Sequence, residues 1–112
     1  MQKIIAVDFD NTLCETEYPV FCKPIQYVID YVLAEQRQGA KLILWTCRTG
    51  DDLAAAVQWC AEHGVEFDAI NENLPEVIAE YGDDCRKIFA DEYLDDKAVA
   101  LPEVWCRTVL EV

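Results

Sequence analysis

The chain has 112 residues, of which 22 are acidic and 9 are basic, so its formal net charge at pH 7 is −13. A chain of this length is expected to form one domain, residues 1–112, and its 53% hydrophobic content is typical of a globular protein with a buried core. The excess of carboxylates excludes electrostatic binding of nucleic acid or of an anionic membrane, because both require clustered lysine and arginine.

No apolar run approaches the roughly 18 residues that a membrane span requires. The apolar run that follows Lys3 is four residues long, too short for a secretory signal, so we expect a cytoplasmic protein without a membrane partner. The six cysteines, at positions 14, 22, 47, 60, 85 and 106, include no C-x-x-C pair. We expect them to be reduced and to serve mainly in packing.

Apolar runs and helical spacings alternate along the chain. Short apolar runs predict buried strands, and apolar residues at i, i+3, i+4 and i+7 predict amphipathic helices. The predicted strands cover residues 3–9, 41–46, 66–70 and 87–94. The predicted helices cover residues 25–37, from Asp51 or Asp52 to Gly64, and 75–81. The pattern after Pro102 favours a helix but also allows a strand.

This β-α-β-α-β-α-β order predicts a mainly parallel sheet with helices on both faces. Right-handed crossovers make it a three-layer α/β/α, doubly wound, Rossmann-like fold. In such folds ligands bind beyond the carboxyl ends of the strands. Polar residues that directly follow the strands are therefore the candidates for a functional site.

Such residues follow three of the predicted strands. They are Asp8, Asp10, Asn11 and Thr12 after the first strand, Thr46, Cys47, Arg48 and Thr49 after the second, and Asp95 and Asp96 after the last. Four carboxylates at one rim would repel one another unless a divalent cation lay among them. Oxygen ligands without histidine favour a hard cation, so the sequence predicts a Mg²⁺ site.

The stretch Asp8–Leu13 reads D-x-D-x-T directly after an apolar strand, and it resembles the first motif of the haloacid dehalogenase-like (HAD) hydrolase superfamily. Thr46 at the end of the second strand resembles the second motif, and Asp95-Asp96 resembles the acidic fourth motif. The motifs occur in the family's order over residues 3–97, and the chain is also similar to small stand-alone members of the superfamily. The resemblance implies a hydrolase of phosphate monoesters, and the short gaps between the motifs leave no room for a cap domain.

The resemblance also implies a role for each residue. Asp8 would be the nucleophile that forms an aspartyl-phosphate, and Asp10 would be the general acid and base. Thr46 and Lys87 would bind the remaining phosphoryl oxygens. The metal ligands would be Asp8, the backbone carbonyl of Asp10, Asp95 and Asp96. The candidates for substrate binding are Asn11, Thr46, Cys47 and Arg48.

Two of these assignments have a competitor in the sequence. Arg86 stands beside Lys87 and could replace it as the basic residue of the third motif. Asp91 and Asp95 could form the acidic pair in place of Asp95 and Asp96 if the last strand ended earlier.

Two side chains after the second strand, and the function itself, also have alternatives. Arg48 could pair with surface acids instead of substrate, and Cys47 could be a buried packing thiol. The alternative functions are a receiver-like phosphoacceptor domain and a catalytically idle metal-binding module. A receiver carries its phosphorylated aspartate after the third strand, which here ends in Ala69-Ile70. The class of the phosphorylated substrate and a homo-oligomeric state are left open.

Overall fold

The computed structural model describes residues 2–99. Its strands are β1 (Ile4–Val7), β2 (Cys14–Glu17), β3 (Val20–Pro24), β4 (Lys41–Leu44), β5 (Ala69–Ile70) and β6 (Glu92–Leu94). Its helices are α1 (Gln26–Arg37), α2 (Gly50–Glu62) and α3 (Pro75–Tyr81). None of these three helices has the length and apolar character needed to cross a bilayer. The element predicted after Pro102 lies outside the described residues.

Within residues 2–99, four strands form a parallel sheet in the order β5-β4-β1-β6. All four residues of β1 are buried, because this strand lies between β4 and β6 and is covered on both faces. The predicted alternation of parallel strands and helices is confirmed. The architecture is a small α/β fold compatible with a Rossmann-like sheet.

Successive residues of a strand point to opposite faces of the sheet, and the core is accordingly divided into two clusters. One cluster joins strand residues to helices α1 and α2: Ile5, Val7, Leu42, Leu44, Ile29, Val32, Ala56 and Cys60. The other joins the alternate strand residues to α3 and its flanks: Ile4, Ala6, Ile43, Leu74, Val77, Ile88 and Ala90. Each large aliphatic side chain buried in this way contributes about 2 kcal/mol to stability.

The predicted strand over residues 87–94 is wrong in its first half, since β6 contains only Glu92–Leu94. Ile88 is buried, as the apolar alternation indicated. The Phe89 backbone N–H, however, donates to the side-chain oxygen of Asn73 at 2.7 Å. Asn73 is itself buried, so a side-chain amide takes the place of a neighbouring strand along this stretch.

The other boundaries differ from the prediction by smaller amounts. Helix α2 begins at Gly50, so Asp51 and Asp52 lie in its first turn rather than at its cap, where their charge favours the helix dipole. The predicted strand over residues 66–70 is reduced to β5 because the Asp68 carboxylate accepts the Leu42 N–H at 2.9 Å. Helix α3 has the predicted bounds, and α1 begins one residue later than predicted.

Residues 14–24 form an antiparallel hairpin that the sequence analysis missed. Strands β2 and β3 build it, and Pro24 ends β3. The Ile25 N–H donates to the carbonyl of Leu13 at 2.9 Å, which brings the two ends of the hairpin together. Thr16 and Tyr18 of this hairpin line a cavity at the carboxyl end of the sheet.

Candidate functional site

An open cavity of about 800 Å³ lies beyond the carboxyl ends of the parallel strands. Asp8 follows β1, Trp45 follows β4, Asn71 follows β5 and Asp95 follows β6, and all four line this cavity. Of the residues predicted to serve in catalysis, substrate binding or metal binding, all but Lys87 line it, whereas the further candidates Thr12 and Thr49 do not. The cavity therefore gathers side chains that are as much as 89 positions apart in the sequence.

Three carboxylates meet at one side of the cavity. Asp8, Asp95 and Asp96 each place one oxygen within 4.8 Å of the others. The sheet causes this, because β1 and β6 are parallel neighbours and the Asp8 N–H donates to the carbonyl of Leu94 at 2.9 Å. The Asp96 N–H donates to Thr12 Oγ1 at 3.1 Å and so orients the second strand end. An all-oxygen donor set of this kind fits Mg²⁺.

Burial raises the pKa of Asp8 to about 6. The Phe9 N–H donates to Asp8 Oδ1 at 2.7 Å and works against this rise, because it favours the ionised form. The negative charges of Asp95, Asp96 and Asp10 raise the pKa further. Asp8 is thus a carboxylate whose ionised form a cation would stabilise.

The alternative acidic pair of Asp91 and Asp95 is wrong. The Ile4 N–H donates to Asp91 Oδ2 at 2.7 Å, and the Asp91 N–H donates to the carbonyl of Ile4 at 2.7 Å. Ile4 begins β1, whereas Asp8 follows its end, so Asp91 lies about one strand length, roughly 13 Å, from the acidic cluster. Asp95 and Asp96 are the acids that β6 brings to Asp8.

Asp10 has a different environment, because it forms a salt bridge with Arg48. Arg48 Nε donates to Asp10 Oδ2 at 2.9 Å, and Nη2 donates to Oδ1 at 2.7 Å. The Thr16 hydroxyl also donates to Oδ1, at 2.8 Å. The hydrogen bonds from Arg48 hold the pKa of Asp10 below its usual value. The carboxylate of Asp10 therefore does not belong to the cluster of Asp8, Asp95 and Asp96. The backbone carbonyl of Asp10 stays a predicted metal ligand.

Arg48 is only 1% exposed, yet it lines the cavity, and its contact with substrate stays a prediction. The alternative, a pairing of Arg48 with an acid, is confirmed, but the partner is Asp10 of the cavity lining and not a surface acid. The guanidinium carbon lies 5.0 Å from the ring centroid of Phe9, 4.8 Å from that of Tyr18 and 5.1 Å from that of Phe21. These rings surround a cation that already has a carboxylate partner. Arg48 thus connects Asp10 to the β2–β3 hairpin.

The other residues predicted for substrate binding follow β1 and β4 and line the edge of the cavity, and some of them hold its backbone in place through hydrogen bonds. The Thr46 hydroxyl accepts the Arg48 N–H at 3.1 Å, and the Thr46 N–H donates to Asn71 Oδ1 at 2.8 Å. Asn11 has a positive φ of 58°, a conformation that asparagine tolerates, and its side chain accepts the Thr16 N–H at 3.1 Å. Cys47 lines the cavity and is exposed, so the interpretation as a buried packing thiol is wrong.

The structure does not place Lys87 with the other predicted catalytic residues. Its ammonium lies 5.8 Å from the ring centroid of Tyr93, and neither Lys87 nor the competing Arg86 lines the cavity. The hydrogen bond from the Phe89 N–H to the Asn73 side chain holds the backbone near Lys87 outside the sheet. The strand prediction could not include this contact. Lys97 lines the cavity instead. Lys97 was not predicted because it follows the acidic pair, where no motif points to a lysine.

Within the described residues the cysteines are free. Cys14 and Cys60 are buried in the core, as predicted for packing thiols, whereas Cys22, Cys47 and Cys85 are exposed. Cys106 lies outside the described residues.

The chain is similar to one solved structure over nearly its whole length. That structure is of a conserved protein from Bacteroides thetaiotaomicron, with a TM-score of 0.77 and 34% sequence identity. The similarity covers 99% of this chain and 92% of the other. No protein-family model matches the sequence, and no curated protein matches it.

Proposed function

We propose that this chain catalyses a Mg²⁺-dependent hydrolysis of phosphate monoesters. The chain belongs to the same family as the conserved protein from Bacteroides thetaiotaomicron. The observation that carries the proposal is the approach of Asp8, Asp95 and Asp96 to within 4.8 Å at the carboxyl end of the sheet. These residues are also the ones that resemble the first and fourth motifs of the haloacid dehalogenase-like superfamily. Membership of that superfamily is part of the proposal.

The same proposal extends to the architecture. We assign a three-layer α/β/α, doubly wound arrangement without a cap domain. The division of the core supports the layers, since α1 and α2 share one cluster and α3 belongs to the other. The β2–β3 hairpin, which covers residues 14–24, supports an open site, because it is too short to form a separate domain.

Asp8 is the nucleophile in the proposed reaction. Its carboxylate oxygen attacks phosphorus, the bond to the leaving oxygen breaks, the leaving oxygen takes a proton from solvent water in the open cavity, and an aspartyl-phosphate forms on Asp8. Water then attacks the same phosphorus, which releases inorganic phosphate and restores the Asp8 carboxylate. The Thr46 hydroxyl lines the cavity and is assigned to a phosphoryl oxygen.

Asp8, Asp95 and Asp96 would hold Mg²⁺, together with the backbone carbonyl of Asp10. When bound, the ion would neutralise charge on the transferring phosphoryl oxygens. Lys97 takes over the part first assigned to Lys87, because it is the lysine that lines the cavity. Its ammonium group would offset charge on the phosphate.

Asp10 is assigned mainly as a base. The two hydrogen bonds from Arg48 favour its ionised form, which accepts a proton from the attacking water. Protonation of the leaving oxygen by Asp10 is disfavoured in this arrangement. Asp10 would first have to carry a proton, and the hydrogen bonds from the Arg48 guanidinium to both of its oxygens disfavour that protonated form.

The test is hydrolysis of p-nitrophenyl phosphate with and without Mg²⁺, by the wild type, Asp8→Asn and the control Asp30→Asn. Asp30 is an exposed carboxylate on α1 that does not line the cavity. We expect metal-dependent turnover in the wild type and the control, and a loss of about 1,000-fold or more in Asp8→Asn. Equal turnover in Asp8→Asn would contradict the role of Asp8. A stable phosphoryl group on Asp8 without turnover would favour the receiver-like function, and metal binding with neither would favour the idle module.

A further inference from the structure

The residues that line the cavity divide by charge along the sheet. The carboxylates follow β1 and β6, whereas Trp45 follows β4 and Asn71 follows β5. Because the strand order is β5-β4-β1-β6, the uncharged residues lie towards the opposite edge of the sheet from Asp95 and Asp96. Tyr18 at the tip of the hairpin is a further uncharged residue of the lining. The cavity thus has room for a part of the substrate that the acids do not contact.

Tyr18 is 62% exposed and yet held in place. Its hydroxyl donates to Asp52 Oδ2 at 2.7 Å. The guanidinium carbon of Arg48 lies 4.8 Å from its ring centroid, and Arg48 is itself bound to Asp10 through two hydrogen bonds. An exposed aromatic ring normally loses side-chain freedom when a ligand stacks on it. Here that freedom is already restricted, so the ring is a pre-organised surface for stacking.

The charges around the cavity limit what else the substrate carries. Asp10 and Arg48 neutralise each other, which leaves Asp8, Asp95 and Asp96 against Lys97. The remaining net charge is two negative, so even with one divalent cation bound the lining carries no excess of positive charge. Among the described residues of the lining, no further cation is left for a second phosphate or another anionic group on the leaving portion.

We propose that Tyr18 is a stacking subsite for the leaving group, and that the substrate is a monophosphate ester whose leaving group carries an uncharged planar ring. This inference rests on the proposed function and adds the substrate class to it. An aromatic pair of this kind is expected to favour the ring-bearing substrate by about tenfold in kcat/KM. Simple aryl groups and nucleobases both offer the required face.

The decisive pair of substrates is benzyl phosphate and cyclohexylmethyl phosphate. Both release a primary alcohol of similar size, and one of them is planar. We expect the wild type to prefer the benzyl ester about tenfold, Tyr18→Phe to retain a clear preference, and Tyr18→Leu to bring the ratio of the two kcat/KM values close to one. The control is Tyr27→Leu, because Tyr27 is 79% exposed on α1 and does not line this cavity. A ratio near one in the wild type, or an unchanged ratio in Tyr18→Leu, would overturn the subsite.

A binding measurement separates this proposal from the proposed function. Benzylphosphonate and cyclohexylmethylphosphonate cannot be hydrolysed, so calorimetry with Mg²⁺ compares their affinities even for a protein without turnover. We expect tighter binding of the benzyl compound by the wild type but not by Tyr18→Leu, and equal affinities for the wild type would overturn the subsite. A nucleoside 5′-monophosphate compared with ribose 5-phosphate then tells whether a nucleobase occupies the subsite, and the size of that preference is set against the one measured with the benzyl pair.

Discussion

Asp8 and Asp10 stand two residues apart at the end of the same strand, and their surroundings are electrostatically opposite. Asp8 faces the carboxylates of Asp95 and Asp96, and burial raises its pKa to about 6. Asp10 accepts hydrogen bonds from Arg48 and Thr16, and its pKa is lowered. One half of the rim is internally neutralised, and the other half is left with negative charge for an external cation.

The difference shows that a shared strand end does not give two carboxylates the same chemistry. Residues two apart share a face only while the strand continues. Here β1 ends at Val7, and Asn11 turns the chain with a positive φ of 58°. Asp10 is thereby directed to Arg48, which lies 38 positions later in the sequence. Four predictions test this comparison, from the largest expected effect to the smallest.

Replacement of Arg48 by methionine should destabilise the protein most, by about 3 kcal/mol, because it leaves the Asp10 carboxylate without its buried partner. Arg48→Lys should lose less, since it keeps the charge but not the two-pronged geometry. Urea unfolding at pH 7 measures both variants. If the free energy of unfolding of Arg48→Met lies within about 0.5 kcal/mol of the wild-type value, the salt bridge between Arg48 and Asp10 does not contribute to stability.

Asp8→Asn and Asp10→Asn should change the metal-free stability in opposite directions at pH 7.5. The raised pKa of Asp8 means that wild-type stability falls as the pH rises from 3.8 to about 6. Asp8→Asn removes this fall and should gain about 2 kcal/mol after allowance for partial exposure.

The sign is reversed for Asp10. Its lowered pKa adds stability above the ordinary value, and this is lost as the pH falls through the folded-state pKa. Asp10→Asn should therefore be destabilised at pH 7.5 and approach the wild type in acid. Denaturation curves between pH 3 and 8 test both variants, and two changes of the same sign would contradict the comparison.

Magnesium should stabilise the folded protein by binding to the carboxylates of Asp8, Asp95 and Asp96. At a concentration of about ten times Kd, Mg²⁺ adds about 1.4 kcal/mol, which raises the Tm by roughly 5 °C for a domain of this size. The shift should disappear in Asp95→Asn and persist in Asp30→Asn. Thermal unfolding with and without Mg²⁺ measures it, and an equal shift in Asp95→Asn would place the ion elsewhere.

The smallest effect is expected from Thr16→Val, which removes one hydrogen bond to Asp10 without a change in shape. The loss should be about 1 kcal/mol. Thr49→Val is the matched control, because Thr49 is exposed and its side chain makes no capping hydrogen bond to α2. If the two variants lose equal stability in urea, the hydroxyl of Thr16 does not support Asp10.

The limits of prediction follow from the range of the interactions. The hairpin of β2 and β3 was missed because its short strands are mostly exposed and lack an apolar pattern. Lys87 was expected in the site because residues 87–94 alternate like a strand. In the structure the Asn73 side chain binds the backbone of Phe89, and this hydrogen bond spans 16 positions without any periodic signal.

By itself, the sequence determined the order of strands and helices and the position of the acids at the strand ends. It could do so because apolar periodicity reports burial locally, and parallel strands bring their carboxyl ends to one edge. Only the tertiary structure decided that Arg48 neutralises Asp10 while Asp8 faces Asp95 and Asp96. The physical reason is that the partner of a charge depends on how distant segments pack, and local spacing carries no information about that packing.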